Sequence, residues 1–540
     1  MIDVCRTTSI VGGSGNNNCQ GCALIGGGVN NILRGTLGYS FLGAGFANCI
    51  CSGYGVIGSG CQNRIQCGSQ ASIIVGGYEN NICANSPFST IIGGQSNSTC
   101  SVGSFIGGGC YNNLQAAAGK QACAAVIVGG IANGTCAGTY EAINECWTVA
   151  PTKKCSGYAS FVGSGFQNIA SNAFSNVVGG CCNLSAGDYT FVGGGNCNTA
   201  GGCISSILGG CCNTITGTNS LIGGGNDNIL CGNASAIIGG KSNVNVDQNS
   251  FIGTSCSSTI DGGSRFGFIG TGEINCILEN SRYAIVGNGV NNAIGCTSCF
   301  ATILNGQNNN VNQACAPYST ISNGYGNCVG AENCYVSIGN GFQNFVSASS
   351  CFSTILSGNE NTIRTSCFGT VLNGCLASLC DSPFGVASGF QTCAYNYGSR
   401  VHGTYDMDVG NQGNAQYFDA VFSRSLNPTS QSNLFLDGLS VLFATKANKM
   451  YSVNVKAQGF LLGDVIGQDI FAIFTTDGSN VVTRKHFQRY ANHISGVFAA
   501  ADIDVVAGTG TIDVVVAGTL VSANASNWMA YMWGVEMIQP

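Results

Sequence analysis

A chain of 540 residues with 83 Gly, 33 Cys and only 8% charged residues is not composed like an ordinary globular protein, in which about a quarter of residues are charged. Hydrophobic residues make up 44% and the formal charge is only −6, so the composition is not that of a disordered chain. Six prolines without a strict third-residue glycine exclude collagen, and no apolar run approaches the ~18 residues of a membrane helix.

The sparse acidic balance shows no basic patch, so nucleic-acid binding is not expected, and the lack of a long apolar run predicts no membrane insertion. The opening Met-Ile-Asp-Val-Cys-Arg-Thr-Thr-Ser lacks a basic segment followed by an apolar one, which predicts synthesis and assembly in a cytoplasm.

From Val11 to His402 one motif dominates. One or two aliphatic residues followed by glycines return about every 14–18 residues, as in Val11-Gly12-Gly13, Ile25-Gly26-Gly27-Gly28, Ile106-Gly107-Gly108-Gly109 and Ile222-Gly223-Gly224-Gly225. Beyond residue 300 the motif drifts to Leu304-Asn305-Gly306 and Ile338-Gly339-Asn340-Gly341. A few residues after the glycines stands an Asn-rich step with an apolar residue, as in Asn30-Asn31-Ile32 and Asn112-Asn113-Leu114. A helix would lose close to 1 kcal/mol per Gly, and no 3.6-residue stripe exists. Two short strands per repeat, stacked as parallel coils, explain the residue choices. Gly suits close backbone approach, a single aliphatic fills a narrow interior, and Asn recurring at one position forms an amide ladder. Such coils gain stability by summing stacking between neighbours.

The pattern Ser-x-x-Ile-Gly-Gly-Gly-x-x-Asn, carried by Ser104–Asn112 and Ser220–Asn228, resembles the head repeats of trimeric autotransporter adhesins, which also occur in bacteriophage and other viral tail fibres. The likeness covers residues 9–403. It implies a left-handed parallel β-roll in which three chains pack side by side. No signal peptide, heptad stalk or membrane-anchor strands accompany it, so the resemblance is to a viral fibre more than to an outer-membrane adhesin.

The repeats are interrupted once, over about 137–157, where a charged stretch containing Trp147, Lys153 and Lys154 separates Val128-Gly129-Gly130 from Val162-Gly163. It reads as a solvated loop, with Trp147 as an alternative partner contact.

All cysteines lie at or before Cys393. Cys61, Cys110, Cys182, Cys212 and Cys256 each stand four residues after a repeat's aliphatic, and Cys19, Cys83, Cys100 and Cys136 eight after it. Two readings stay open: a packed thiol ladder in a thin core, or disulfides between coils whose Cα atoms approach within the ~4.4–6.8 Å a bridge needs. Cys19-x-x-Cys22 and Cys296-x-x-Cys299 lack the second pair of a closed zinc site, so no metal or cofactor is expected. An odd total leaves at least one thiol free or paired between chains.

From residue 404 the texture changes. Strand-like runs over 416–424, 439–444, 450–460, 470–475, 481–490, 503–506, 511–520 and 528–537 predict an antiparallel β-sandwich or jelly roll, separated by turns such as Asp437-Gly438 and Asp477-Gly478. The closing run 527–536 resembles the last strand of small β-domains that cap phage tail fibres. Trp528 and Trp533 fall on opposite faces of one strand, which makes Trp533 a candidate receptor or subunit contact. Arg484, Lys485, His486, Arg489 and Tyr490 form a cationic-aromatic cluster, either the polar face of an edge strand or a contact for an acidic glycan.

The sequence thus predicts an all-β protein with two domains: a glycine- and cysteine-rich parallel β-solenoid over 1–403 and a globular β-domain over 404–540. With three histidines, no Gly-x-Ser-x-Gly elbow and no conspicuous carboxylate pair, it reads as non-enzymatic. The resemblance implies a homotrimeric virion fibre, joined to other virion proteins at its N-terminus and meeting a host receptor or glycan through its C-terminal domain. An architectural filament subunit is the alternative, and an ice-binding solenoid a more distant one.

Overall fold

The computed structural model describes residues 8–115, 123–134, 139–141, 146–149, 157–311, 315–403, 415–426, 432–434, 436, 442–461, 464–494, 502–517 and 526–538. Among them every regular element is a strand. The chain divides into two compact units, 1–260 and 261–540.

The first unit is a parallel β-solenoid whose strands are mostly two residues long. In one coil, Phe191–Val192 stacks on Ser206–Ile207 of the next, and Thr199–Ala200 stacks on Thr214–Ile215. One aliphatic of each strand is driven inward by alternation. Val192, Ile207, Ile222, Ile237 and Ile252 are fully buried, as are Ala200, Ile215, Leu230 and Ile260 of the second column. Between the strands the chain turns through a glycine at positive φ. Gly195 has φ 91°, and a Cβ there would stand 2.0 Å from the Gly210 carbonyl oxygen, so no other residue fits.

The buried Asn column fixes the stacking. The Asn198 side-chain carbonyl accepts from the backbone N–H of Asn213 at 3.1 Å, and the Asn213 amide donates to the carbonyls of Gly209 and Gly225 at 3.2 and 3.0 Å. The same pattern repeats at Asn228 and Asn243. Each amide therefore satisfies polar groups of its own coil and of both neighbours.

At the interruption, Thr139–Glu141 and Cys146–Val149 pair antiparallel, with Trp147 opposite Tyr140 in register. The coils on either side still stack directly, Val126 on Phe161 and Ile127 on Val162.

The second unit begins with the same coil plan. Ile269, Val286, Ile303, Ile321, Ile338 and Ile355 fill its interior, and Asn275, Asn292, Asn309, Asn327, Asn344 and Asn361 form an amide ladder of the same kind. One corner column is aromatic: Phe266, Tyr283, Phe300, Tyr318, Tyr335, Phe352, Phe368 and Phe384, all at positive φ. Successive rings stack at 4.8–4.9 Å and within 8° of parallel, so they cover one another's faces and turn their edges outward.

The last parallel strand, Arg400–Gly403, stacks on Val386–Phe390 and pairs antiparallel with Ala415–Leu426. From there one antiparallel sheet runs through Ser526–Ile538, Lys449–Leu461, Asp464–Thr476 and Val482–Ile494. A second sheet pairs Thr511–Ala517 with Asp502–Ala507, Ser432–Asn433 and Phe443–Ala444. Its Ile503, Val505, Ile512 and Val514 are buried, as are Phe418, Phe422, Tyr451, Val453, Ile470 and Phe474 of the first.

The cysteines correct one expectation. Among the described residues, the cysteines outside the two disulfides are exposed or half-buried apart from Cys393, so no thiol ladder fills the core. The interior takes larger aliphatics because they remove more apolar area from water. Two bridges join neighbouring coils, Cys51–Cys67 and Cys83–Cys100, with Cα separations of 4.6 and 4.7 Å. Cys61 and Cys110 stack on non-cysteine neighbours, Phe46 and Tyr78, and Gln95 and Ile131. Cys256 pairs with Lys241. Cys182 and Cys212 sit one position further on, at φ 57° and 58°, because Val177 and Ile207, not Val178 and Leu208, are the buried aliphatics of their coils. Cys197 occupies the same corner in the coil between them. Cys19 is exposed, and Cys136 lies outside the described residues.

Replacing Asn213 by Ala leaves the buried N–H of Asn228 without its acceptor. We expect a loss of about 1–3 kcal/mol in urea denaturation of the full chain. Asn226→Ala in the neighbouring half-exposed column should stay within about 0.5 kcal/mol of the parent.

Candidate functional site

Where the parallel coils of the second unit give way to antiparallel pairing, the outward face of the sheet carries a cleft of about 450 Å³, lined by Thr370, Leu372, Val386, Ser388, Arg400, Val401, His402, Tyr417 and Asp419. That volume is within the range of small-ligand sites. Strand alternation sorts the side chains. Phe418, Ala420 and Phe422 are buried, so Tyr417 and Asp419 face out; Ala530 and Met532 are buried, so Tyr531 and Trp533 do the same.

Register then sets these residues in rows across the strands. Ser388, His402 and Tyr417 stand side by side in one row, and Arg400, Asp419 and Trp533 in the next. Tyr531 follows, opposite Val421 and Lys456. Ser388 Oγ and His402 Nδ1 are 2.9 Å apart. The Tyr531 hydroxyl donates to Asp419 at 3.2 Å. Tyr531 and Trp533 rings stack at 5.4 Å, and the Lys456 ammonium is 6.0 Å from the Trp533 ring. Burial holds the Asp419 carboxyl above the usual carboxylate range, partly offset by the Tyr531 hydrogen bond and the Arg400 charge.

The surface therefore offers two cations, a carboxyl that takes up a proton more readily than usual, a serine–histidine pair and three half-exposed aromatic rings. Such a set can hold a polar chain with apolar faces, hydrogen-bonding its hydroxyl or acidic groups and covering its carbon–hydrogen faces.

Trp533 is the one predicted contact residue that falls here. The cationic-aromatic cluster divides instead. Arg484 pairs with Asp504 at 2.8 Å, donates to the Val505 carbonyl and lies over the Phe487 ring. Arg489 donates to the Ile503 carbonyl at 2.9 Å. Both arginines thus tie the first antiparallel sheet to the second. His486 lies beside Phe471, while Lys485 is exposed and Tyr490 is 61% exposed. Trp147 belongs to the first unit.

Ser388, Arg400, His402, Tyr417 and Asp419 were not legible as a group, because they come from three strands that only pairing brings together. The i, i+2 repetition of Tyr417 and Asp419, and of Tyr531 and Trp533, is the signal that points to one face.

Behind the sheet lies a buried polar network. The Tyr395 hydroxyl donates to Glu536 at 2.5 Å and meets the Tyr451 hydroxyl at 2.7 Å, and Lys449 stands 3.6 Å from Glu536. Burial pushes the Tyr395 hydroxyl well up, reinforced by the Glu536 charge. The Lys449 ammonium is pushed down by burial and partly restored by Glu536.

No family model matches the sequence, and no curated protein is similar to it. Solved structures with weak similarity in fold include two phage tailspikes. One is the tailspike protein gp49 of Acinetobacter baumannii bacteriophage Fri1, a capsular polysaccharide depolymerase, at 9% identity over 81% of this chain and 79% of that one, with a TM-score of 0.19. The other is the tailspike protein of Acinetobacter phage vB_ApiP_P1, at 8% identity over 87% and 82%, with a TM-score of 0.18. The β-solenoid stands, while no family supports the more specific adhesin-head resemblance. The expectation of a non-enzymatic chain is corrected, since the first of these proteins is an enzyme.

Removing one member of the buried ion pair isolates the other's charge. Glu536→Ala should cost about 3–5 kcal/mol in thermal unfolding, and the double change K449M/E536L should restore most of it.

Proposed function

We propose that the chain is a fibre or spike component of a virion, a β-solenoid body whose C-terminal face binds an anionic polysaccharide of a host surface. The observation that carries this reading is the cleft, where Arg400, His402 and Asp419 converge beside Tyr417, Tyr531 and Trp533. Arg400 suits an acidic sugar through charge-assisted hydrogen bonds. The aromatic rings suit the apolar faces of sugar rings and supply contact area at small entropic cost. The solenoid supports a structural role, since its coils repeat one packing solution along the chain.

Association with further copies is part of the proposal. In the first unit the outward side of one strand column carries Phe41, Phe105, Val178, Leu208 and Ile238, each 36–56% exposed. Phe rings lie over glycines of their own coils, as Phe191 does over Gly193, and coils with a small first residue carry a large third one, as in Ser206-Ile207-Leu208. This alternation of knobs and hollows supports close packing against an equivalent face.

Full-length protein titrated with a panel of purified capsular polysaccharides should bind at least one acidic member. Arg400→Ala and Trp533→Ala should each weaken that binding by about 10–100-fold, the magnitude of losing contacts to a charged group. Binding should strengthen as pH falls through the raised Asp419 titration, because protonation removes the negative charge beside Arg400; D419N should flatten that dependence. Arg489→Ala should reduce stability without changing affinity. If no acidic polysaccharide binds, or if the cleft variants bind like the parent, the cleft is not the receptor site. In sedimentation equilibrium the full chain should run as a multimer, and L208D should shift it toward the monomer.

A further inference from the structure

Among the described thiols, one pair differs from the rest in its surroundings. Cys393 opens the strand Cys393–Ala394 and stacks in register on Ser378, which begins the strand Ser378–Cys380 of the preceding coil. Cys380 is two residues along that strand and so projects to the same side. The two thiols are in hydrogen-bond contact. Cys393 is 7% exposed and Cys380 is half-buried. Lys446 reaches in with its ammonium 3.1 Å from Cys393 Sγ and 4.2 Å from the centre of the Tyr395 ring. Its own backbone N–H donates to the Tyr451 hydroxyl at 2.8 Å, which anchors the segment that carries it.

We infer that Cys380 and Cys393 form a peroxide-reactive dithiol site, with Cys393 the attacking sulfur, Cys380 the resolving thiol and Lys446 the cation that stabilises the attacking thiolate. Geometry supports each role. The resolving thiol must lie within reach of the oxidised sulfur, and it already contacts it. The attacking sulfur needs a positive neighbour, and Lys446 supplies one. The Cys393 thiol is lowered to about 5 by the hydrogen bond from Cys380 and by Lys446, against the opposing effect of burial. Two paired thiols elsewhere move the other way, as Cys380 itself does. Burial and Cys181 push Cys182 up to about 12, and the hydrogen bond with Cys351 pushes Cys334 up to about 11.

Hydrogen peroxide is small enough for a sulfur this enclosed. The Cys393 thiolate attacks one peroxide oxygen and the O–O bond breaks. The leaving hydroxide takes a proton and departs as water, which leaves Cys393 as a sulfenic acid. The Cys380 sulfur then attacks the Cys393 sulfur. The S–O bond breaks, and the hydroxyl leaves with the Cys380 proton as a second water. Two thiols have lost two electrons and two protons to the peroxide, and one disulfide joins the last two coils. It is of the same inter-coil kind as Cys51–Cys67 and Cys83–Cys100. Lys446 loses its thiolate partner when the bridge closes. The inference is independent of the polysaccharide reading, because it uses none of the cleft residues.

The charged and titratable groups facing this sulfur are Lys446, Cys380 and Tyr395, with Lys449, Glu536 and Tyr451 behind them. The test treats the reduced full-length chain with limiting hydrogen peroxide between pH 6 and pH 8, alkylates the remaining thiols and maps the linked peptides by mass spectrometry. The Cys380–Cys393 link should form before exposed thiols such as Cys203 and Cys231 are modified. Its rate should stay nearly flat across that pH range, since the attacking thiol is already ionised. In K446M the rate should fall at pH 6 and rise with pH, approaching tenfold per unit where the thiol is mostly protonated. In C380S, dimedone should capture the sulfenic acid at Cys393. The inference is overturned if Cys203 or Cys231 reacts first, if no Cys380–Cys393 link forms, or if K446M matches the parent rate and pH profile. Should K446M fail to fold, the order of reaction and the flat profile of the parent decide the matter.

Discussion

The buried asparagine ladder is the interaction on which the coils depend. The Asn198 side-chain carbonyl receives the backbone N–H of Asn213 in the next coil, while the Asn213 side-chain amide returns hydrogen bonds to the backbone carbonyls of Gly209 and Gly225, and the pattern recurs from coil to coil. A coil with one aliphatic per strand cannot hold its register by hydrophobic burial alone, since apolar contact is non-directional. The amides supply the direction. A coil shifted by one residue would strand several buried polar groups at once, each costing about 1–3 kcal/mol. The ladder also explains the glycines beside it, because Gly195 and Gly210 approach more closely than a Cβ allows.

The corners follow a different rule. Beside the glycine, more than one turn position per coil takes positive φ, and the side chains there are varied: Cys197 and Cys212 in one column, Tyr283, Phe300 and Tyr318 in another. Left-handed conformations are uncommon for bulky residues. Stacking at 4.8–4.9 Å offsets that cost for the aromatics, because the spacing between coils matches the spacing at which rings can lie in offset contact. Cysteines at such positions line the outside instead of filling the core. That placement opens them to bridges between coils and to chemistry that a packed thiol would not undergo.

The change from parallel to antiparallel pairing at Arg400–Gly403 is what creates the cleft. A sheet that continues through this strand carries its outward face from one architecture into the next. Residues from the last coils, from Ala415–Leu426 and from the closing strand then share rows. The buried Tyr395, Tyr451, Glu536 and Lys449 hold the same place from behind.

Composition and spacing alone determined that the protein is all-β, that parallel two-strand coils fill most of it, that asparagines ladder, and that antiparallel strands follow. The run predicted over 450–460 corresponds to Lys449–Leu461, and that over 528–537 to Ser526–Ile538. These features were legible because repeat period and strand alternation are local properties of the chain. Trp533 was legible for the same reason, as an aromatic on a definable strand face. Only the tertiary structure decided that Cys83 joins Cys100 while Cys61 and Cys110 stack on other residues, and that Arg484 and Arg489 bind neighbouring strands. It alone placed Ser388, His402 and Asp419 in one cleft and Lys446 against Cys393. Such groupings depend on which strands pair and in what register, and residues up to 53 positions apart leave no periodic trace by which a sequence could reveal them.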